Sequence, residues 1–331
     1  MTSSDVTVRP AVVADEAALL ALHTAQNDFG GRWYENPFSG GHEVRWDDLT
    51  PSKRWLHGGP WMDPQLLSLH VQRFAANGGS VIVAERGGQV VGSAELWRAE
   101  EPLPMGAYLD IETLVADPGG DAEIEGALVE AAMREARARD LRSLDVAPLH
   151  AGGDATRLAA AGFLMMRDHR TVHVAADHRP PPPEYGVRST APAYADLRDM
   201  IALNHTEPAE YGVGNLGNEW AGGLLREWSR PFGALLRVAF ADIGIMGRVC
   251  LWLSDPEAEI GLWVPTMALG NVSWFTRAAA AALDFVAKHH RAARYRTTVV
   301  SHLVAPLRDL GFEDGAEPDP WMRNHVSPRN L

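Results

Sequence analysis

The feature that most constrains this chain is a supersecondary unit written twice. The stretch from Ser80 to Val129, with its helix running on to Asp140, reads SVIVAERGGQVVGSAELW, then GAYLDIETLVADP, a glycine-rich bend and ALVEAAMREARARD, which is strand, tight turn, strand, strand, loop and helix. Residues 234–285 repeat that order with LLRVAFADIGIMGRVCLWLSDPEAEIGLWVP, TMALGNVS and WFTRAAAAALDF. Setting Gly92 over Gly247 lays Leu96-Trp97 on Leu251-Trp252 without a gap. A duplication of this length requires two similar structural units, each with its own apolar layer. The length of 331 residues agrees, since it suits two domains of about 150 residues better than one core.

Composition narrows the partners. With 46% hydrophobic and 22% charged residues, the chain can fill an ordinary interior. Cys250 is the only cysteine, which excludes an intramolecular disulfide framework and a multi-cysteine metal site; on a strand it reads as a small core side chain rather than a nucleophile. His289 and His290 are adjacent on a helix and point to different faces, and no other spacing imitates a metal site, so no metal is expected. A formal net charge of -13 repels phosphate backbones, and no lysine or arginine run opposes it. Direct nucleic-acid binding is therefore not expected, whereas a cationic amine would be attracted. No segment approaches the roughly 18 apolar residues of a membrane span, and a cytoplasmic protein without membrane contact is expected.

Periodicity and punctuation divide the chain into an N-terminal domain, 1–176, a proline-rich linker, 177–185, and a C-terminal domain, 186–331. In the first domain, strands are expected at 6–9, 80–85, 89–97, 108–116, 143–146 and 170–175, with helices at 14–25, 63–74, 122–139 and 155–161. Alternation along 108–116 puts Leu109, Ile111, Thr113 and Val115 on one face and Asp110, Glu112 and Leu114 on the other. The second domain repeats the plan, with helices expected at 193–204, 274–289 and 305–310 and a last strand at 321–326. Between 27 and 60 glycine and proline break the pattern, yet Trp33, Tyr34, Phe38, Trp46 and Trp55 fall there and Trp61 just beyond. So many aromatics either cover the core or line a pocket.

This order resembles the central motif of the GNAT superfamily of acyltransferases, present twice. The opening VTVRPAVVADEAALLALH is similar to the family's first strand and helix, and Leu158-x-x-x-Gly162-Phe163 and Leu307-x-x-Leu310-Gly311-Phe312 resemble its closing helix. EIGLWV, 259–264, looks like the branch that acetylates ribosomal-protein N-termini. The resemblance implies an α/β (α+β) chain of two tandem GNAT-like domains, each a mixed, mostly antiparallel twisted sheet flanked by helices. It also implies an acetyl-CoA or other acyl-CoA co-substrate and transfer of the acyl group to a small-molecule amine. In the family the coenzyme's pyrophosphate is held by backbone N–H groups at a helix start, in a loop patterned Arg/Gln-x-x-Gly-x-Gly/Ala.

The first domain departs from that loop. Asp121 stands where the basic residue belongs, and Glu123 and Glu125 where glycine or a cation is expected, so these acids are read as satisfying the helix start themselves. The second domain's loop is uncharged. By resemblance the coenzyme would meet Trp263, Val264, Leu269, Gly270, Asn271, Val272 and Ser273, with Arg277 a turn away. Glu112 and Glu259, each six residues before a proline, are the base candidates, followed by Asp110; a carboxylate simply facing solvent is the alternative for each. The family's tyrosine acid is absent, Ala159 and Leu307 lying near its place. Trp33, Tyr34, Trp55 and Trp61 fall in the segment that commonly forms the family's acceptor wall. Two other readings remain open: a non-catalytic tandem module that binds a metabolite or partner, and an enzyme on this scaffold that does not use CoA.

Overall fold

The computed structural model describes residues 6–26, 32–35, 42–50, 53–54, 57, 59–76, 78–101, 106–116, 121–175, 177–178, 188–189, 200–202, 236–242, 248–254, 257–265, 271–289, 294–315 and 319–326. The chain divides into two compact units. Unit 1 comprises Met1–Ala99, Ala107–Met166 and Pro320–Leu331, and unit 2 comprises Glu100–Gly106 and Arg167–Asp319. The expected linker lies mostly outside the described residues.

Unit 1 opens with β1 (Thr7–Pro10) and α1 (Glu16–Gln26). A small ribbon, β2 (Trp33–Tyr34) with β3 (Glu43–Val44), precedes α2 (Pro64–Ala76). Then come β4 (Ser80–Arg86), β5 (Gln89–Glu101), β6 (Gly106–Ala116), α3 (Ala122–Ala138), β7 (Ser143–Val146), α4 (Pro148–Ala151) and α5 (Ala155–Ala160). Gly87 and Gly88 turn β4 into β5 with φ of 61° and 78°, the left-handed pair that a two-residue hairpin needs. The sheet runs β1-β4-β5-β6-β7-β16, where β16 (Asp319–His325) is the last strand among the described residues. It lies antiparallel to β7, with Met322 opposite Val146.

Unit 2 is built on the same order. β8 (Leu164–Ala175) is followed by β9 (Arg188–Ser189), β10 (Met200–Ala202), β11 (Leu236–Asp242), β12 (Arg248–Ser254) and β13 (Glu257–Pro265). Next are α6 (Val272–His289), β14 (Arg294–Val300), α7 (Val304–Asp309) and β15 (Glu313–Asp314). The sheet order is β9-β11-β12-β13-β14-β8. Each unit is thus closed by a strand encoded in the other half of the sequence. Met200–Ala202, expected in a helix, instead pairs with Pro265, Val264 and Trp263, because the edge of β13 offers ladder partners there.

The duplication survives in detail. α5 and α7 both end in Gly-Phe with the glycine at φ 92°, and Phe163 N–H and Phe312 N–H reach back to the carbonyls of Leu158 and Leu307. Each unit has its own core. In unit 1, Ile82, Leu96, Leu109, Ile111 and Leu144 pack on Ile124, Leu128 and Ala132 of α3. In unit 2 the alanine run Ala278–Ala282 of α6 lets that helix lie close on Val172, Ile260 and Tyr295.

One buried carboxylate fastens β16 into unit 1. Asp145 on β7 is fully buried and accepts from Trp321 Nε1, Arg323 Nε and Arg323 Nη2, each at 2.7 Å, while the Arg323 guanidinium lies 5.1 Å above the Tyr108 ring. Arg323→Met should strand the Asp145 charge and lower unfolding free energy by about 3–5 kcal/mol. The double change Asp145→Leu/Arg323→Met should recover most of that loss. Urea denaturation of the three proteins checks both outcomes, and equal losses in the single and double variants would count against the ion pair.

Candidate functional site

The two halves of each sheet come apart at a parallel pair. β6 and β7 are paired at Leu109–Leu144, Asp110–Asp145 and Ile111–Val146, after which β7 ends and β6 runs on to Ala116. β13 and β14 are paired at Glu257–Arg294, Ala258–Tyr295 and Glu259–Arg296, after which β13 leaves β14 and runs on to Pro265. Just past that point the buried Thr297 hydroxyl donates to the Ile260 carbonyl at 2.7 Å, replacing a ladder bond where the strands diverge. Glu112 therefore stands one residue beyond the last pair of unit 1, and Glu259 at the last pair of unit 2.

Strict alternation along β6 fails. Leu109, Ile111 and then Leu114 join the core under α3, so the two-residue spacing becomes three and neither Glu112 nor Thr113 belongs to that core. An extra residue at a strand opening has this effect. It corrects the expected faces, on which Thr113 would have been apolar-side and Leu114 opposite.

The face of β5 away from α3 is unusually polar for an interior. Ser93 and Glu95 are buried there, while their neighbours Ala94 and Leu96 face α3. Glu95 contacts His70 Nε2 from α2, and Ser93 Oγ lies 3.3 Å from His23 Nε2 of α1. The His23 ring stacks on Trp61 at 4.1 Å, Trp61 meets His70 edge-on at 5.2 Å, and Phe74 stacks on Trp97 at 4.5 Å. Burial pushes the Glu95 carboxyl up, opposed by His70 and reinforced by the charge of Glu112. Burial, with the neighbouring His70, drives His23 down to about 3. None of His23, His70 and Glu95 stood out in the sequence, where single histidines in helices carry no pattern. The one usable signal was a glutamate inside the otherwise apolar SAELW.

Trp33 and Trp61 are buried and Tyr34 is partly exposed; Trp55 lies outside the described residues. Trp33 packs with Leu49 and Met62, and its ring lies 4.3 Å from Trp46 and 5.1 Å from His57. Part of this aromatic set thus forms a small core of its own.

The two helix starts differ in charge. At α3, Asp121 accepts Glu123 N–H at 2.9 Å, and Arg86 bridges Asp121 and Glu123, 2.6 Å to each. Arg86 holds the Asp121 carboxyl below its usual range. Glu125 is buried, accepts Asp154 N–H at 3.2 Å and faces Arg157 at 3.3 Å; burial pushes its carboxyl up. At α6 the cap is neutral: Asn271 Oδ1 accepts Trp274 N–H at 3.0 Å, the first turn holds no acid, and Arg277 Nε donates to the Ser273 carbonyl at 3.2 Å. Val272 is exposed. Leu269 and Gly270 lie outside the described residues; Trp263 and Val264 are on β13, paired with Ala202 and Ile201.

No family model matches the chain, and no curated protein matches it by sequence. Solved structures do match across nearly its whole length. A GCN5-related N-acetyltransferase from Anabaena variabilis superposes with a TM-score of 0.60 at 13% identity, over 97% of this chain and 73% of that one. A GCN5-related N-acetyltransferase from Kribbella flavida gives 0.51 at 13% identity, over 98% and 71%. A tandem GNAT protein from the clavulanic acid biosynthesis pathway gives 0.51 at 16% identity, over 98% and 100%. The chain has the fold of the GCN5-related N-acetyltransferases.

The buried His23 makes acid stability testable. An unfolded chain takes up a proton near the ordinary value of 6.5 and the fold only near 3, so its contribution is complete above pH 6.5 and is lost as pH falls toward 3. The full span is on the order of 3 to 5 kcal/mol. His23→Gln should flatten the curve of stability against pH in this window, measured by urea midpoints at fixed pH steps. Separately, Asp121→Ala should lower the midpoint at neutral pH more than Asp121→Asn, because only asparagine keeps an oxygen for Glu123 N–H.

Proposed function

We propose that the chain is an acyltransferase that moves an acetyl or other acyl group from a CoA thioester to the amine of a small molecule, with the donor on unit 2. The observation that carries this reading is the contrast between the helix starts. An acid about 8 Å from a phosphate charge costs roughly 2 kcal/mol at an effective dielectric near 20, so Asp121, Glu123 and Glu125 together oppose a pyrophosphate at α3. α6 has no acid in its first turn and offers the positive end of the helix dipole, with Arg277 nearby.

In this reading Trp263 and Val264 on β13, then Leu269, Gly270, Asn271, Val272 and Ser273, hold the coenzyme. Glu259, at the opening of β13 from β14, takes the ammonium proton, and positioning supplies the rest of the rate. Glu112 and Asp110 are the corresponding carboxylates of unit 1, and Trp33, Tyr34, Trp55 and Trp61 its small-molecule wall. The net charge of -13 supports a cationic acceptor. A second reading is favoured by one observation, the acid-filled start of α3: unit 1 works without CoA, as a metabolite-binding module.

Calorimetric titration with acetyl-CoA decides the donor. Binding should be seen with the native chain and with Asp121→Asn, and should weaken about tenfold or more in Ser273→Asp, which sets a like charge beside the phosphates. Absence of heat at millimolar acetyl-CoA sinks the proposal. With an accepted amine, Glu259→Gln should lower kcat at unchanged acetyl-CoA affinity, while Glu112→Gln should leave kcat alone. The reverse pattern would move the chemistry to unit 1.

A further inference from the structure

α2 is tied to the sheet of unit 1 by two ionisable side chains that meet in the interior. His70 stands in the middle of α2 and Glu95 in the middle of β5; their side chains are 8% and 2% exposed, and His70 Nε2 contacts Glu95 Oε1. On β4, the buried Val81 lies opposite Glu95 and the buried Val83 opposite Ser93. Trp61 donates its indole N–H to the Glu95 carboxyl, and the Phe74 ring, one turn along α2, stacks on His70 at 5.5 Å. The titratable groups that face the pair are His23 from α1 and, on β6, Glu112 with Asp110 beside it, since Leu109 and Ile111 take the opposite face.

A buried pair of this kind is electrically neutral in two forms, imidazolium with carboxylate or imidazole with carboxylic acid, which differ only in where one proton sits. Taking that proton away leaves a net negative charge inside an apolar layer, facing Glu112, and an unmatched buried charge is costly. Burial, opposed by His70 and reinforced by Glu112, accordingly holds the Glu95 carboxyl above its ordinary value of 4.5. Once α2 lifts away, water solvates both groups and the proton leaves above the ordinary imidazole value of about 6.5. A proton held more tightly with α2 seated than with α2 released favours the seat at low pH and stops favouring it as pH rises.

We infer that the proton shared by His70 and Glu95 is a latch for α2: with it the helix is seated on β5, and its loss as pH rises releases α2 while the sheet and α3 of unit 1 stay in place. Release is local because the two faces of the sheet are packed separately. Leu66, Leu67 and Phe74 of α2 are buried but take no part in the core that Ile82, Leu96, Leu109 and Ile111 form with Ile124 and Leu128 of α3. The released helix would uncover Ser93, Glu95 and the Trp61 ring that now lie beneath it. Such a latch works whether or not the chain binds acyl-CoA.

Hydrogen exchange of the full chain without acetyl-CoA, read by mass spectrometry in steps from about pH 6 to about pH 9, tests this. Peptides covering 64–76 are compared with peptides covering 122–138 at the same pH, so that base-catalysed chemical exchange cancels. Protection of α2 relative to α3 should fall about tenfold per pH unit above about pH 6.5, until the seated pair gives up its own proton. Glu95→Gln keeps an oxygen for Trp61 and His70 but has no carboxyl proton to lose, and the ratio should then stay level across that range. Glu112→Gln removes the facing charge at a half-buried position and should shorten the fall, which decides the matter where the melting temperature shows Glu95→Gln to be unfolded. A level ratio in the native chain, the same fall in Glu95→Gln, an unchanged fall in Glu112→Gln, or loss of α3 protection in step with α2 overturns the inference.

Discussion

The architecture depends on Asp145. A carboxylate with no exposure is tolerable only where its oxygens are met by donors, and here an indole N–H and two guanidinium N–H groups meet them. Those donors come from β16, 176 and 178 residues further along the chain. Unit 1 is therefore incomplete until residues 319–325 have been made, and β8 likewise completes the sheet of unit 2 alongside β14. The strand that a simple duplication would have given each half is exchanged, and an ion pair specifies the exchange in unit 1.

The two units have diverged at one place that matters for anions. α3 and α6 occupy equivalent positions after the opening strands, yet the first is started by Asp121, Glu123, Glu125 and Arg86 and the second by Asn271. The acids of α3 take the role that an external anion would play at the helix start. α6 keeps its first N–H groups and its dipole unanswered by any acidic side chain in its first turn.

Beside that difference lies a polar interior in unit 1. His23, His70, Ser93 and Glu95 join α1 and α2 to β5 through polar contacts, with Trp61 and Phe74 packed between them. Apolar contacts alone would have been the cheaper way to seat two helices on a sheet. Ionisable groups kept in an interior layer need partners, and here His70 meets Glu95 and His23 lies against Ser93. The neighbouring Trp33–Trp46–His57 set shows the same economy, with aromatic bulk and a few polar edges.

By itself the sequence determined the repeated order of strands and helices, the Gly87-Gly88 hairpin, the paired Gly-Phe helix ends and the acid-filled start of α3. All of these are local: turn chemistry, periodicity and capping act within a few residues and leave their mark in the text. Only the tertiary structure decided which sheet receives β8 and β16, where β6 changes face between Ile111 and Leu114, and that Met200–Ala202 becomes a strand on the edge of β13. The same holds for the meeting of His70 with Glu95 and of Arg54 and His57 with Trp46. Such contacts join residues whose separation along the chain carries no period, and burial, which sets their energies, exists only once the layers have packed.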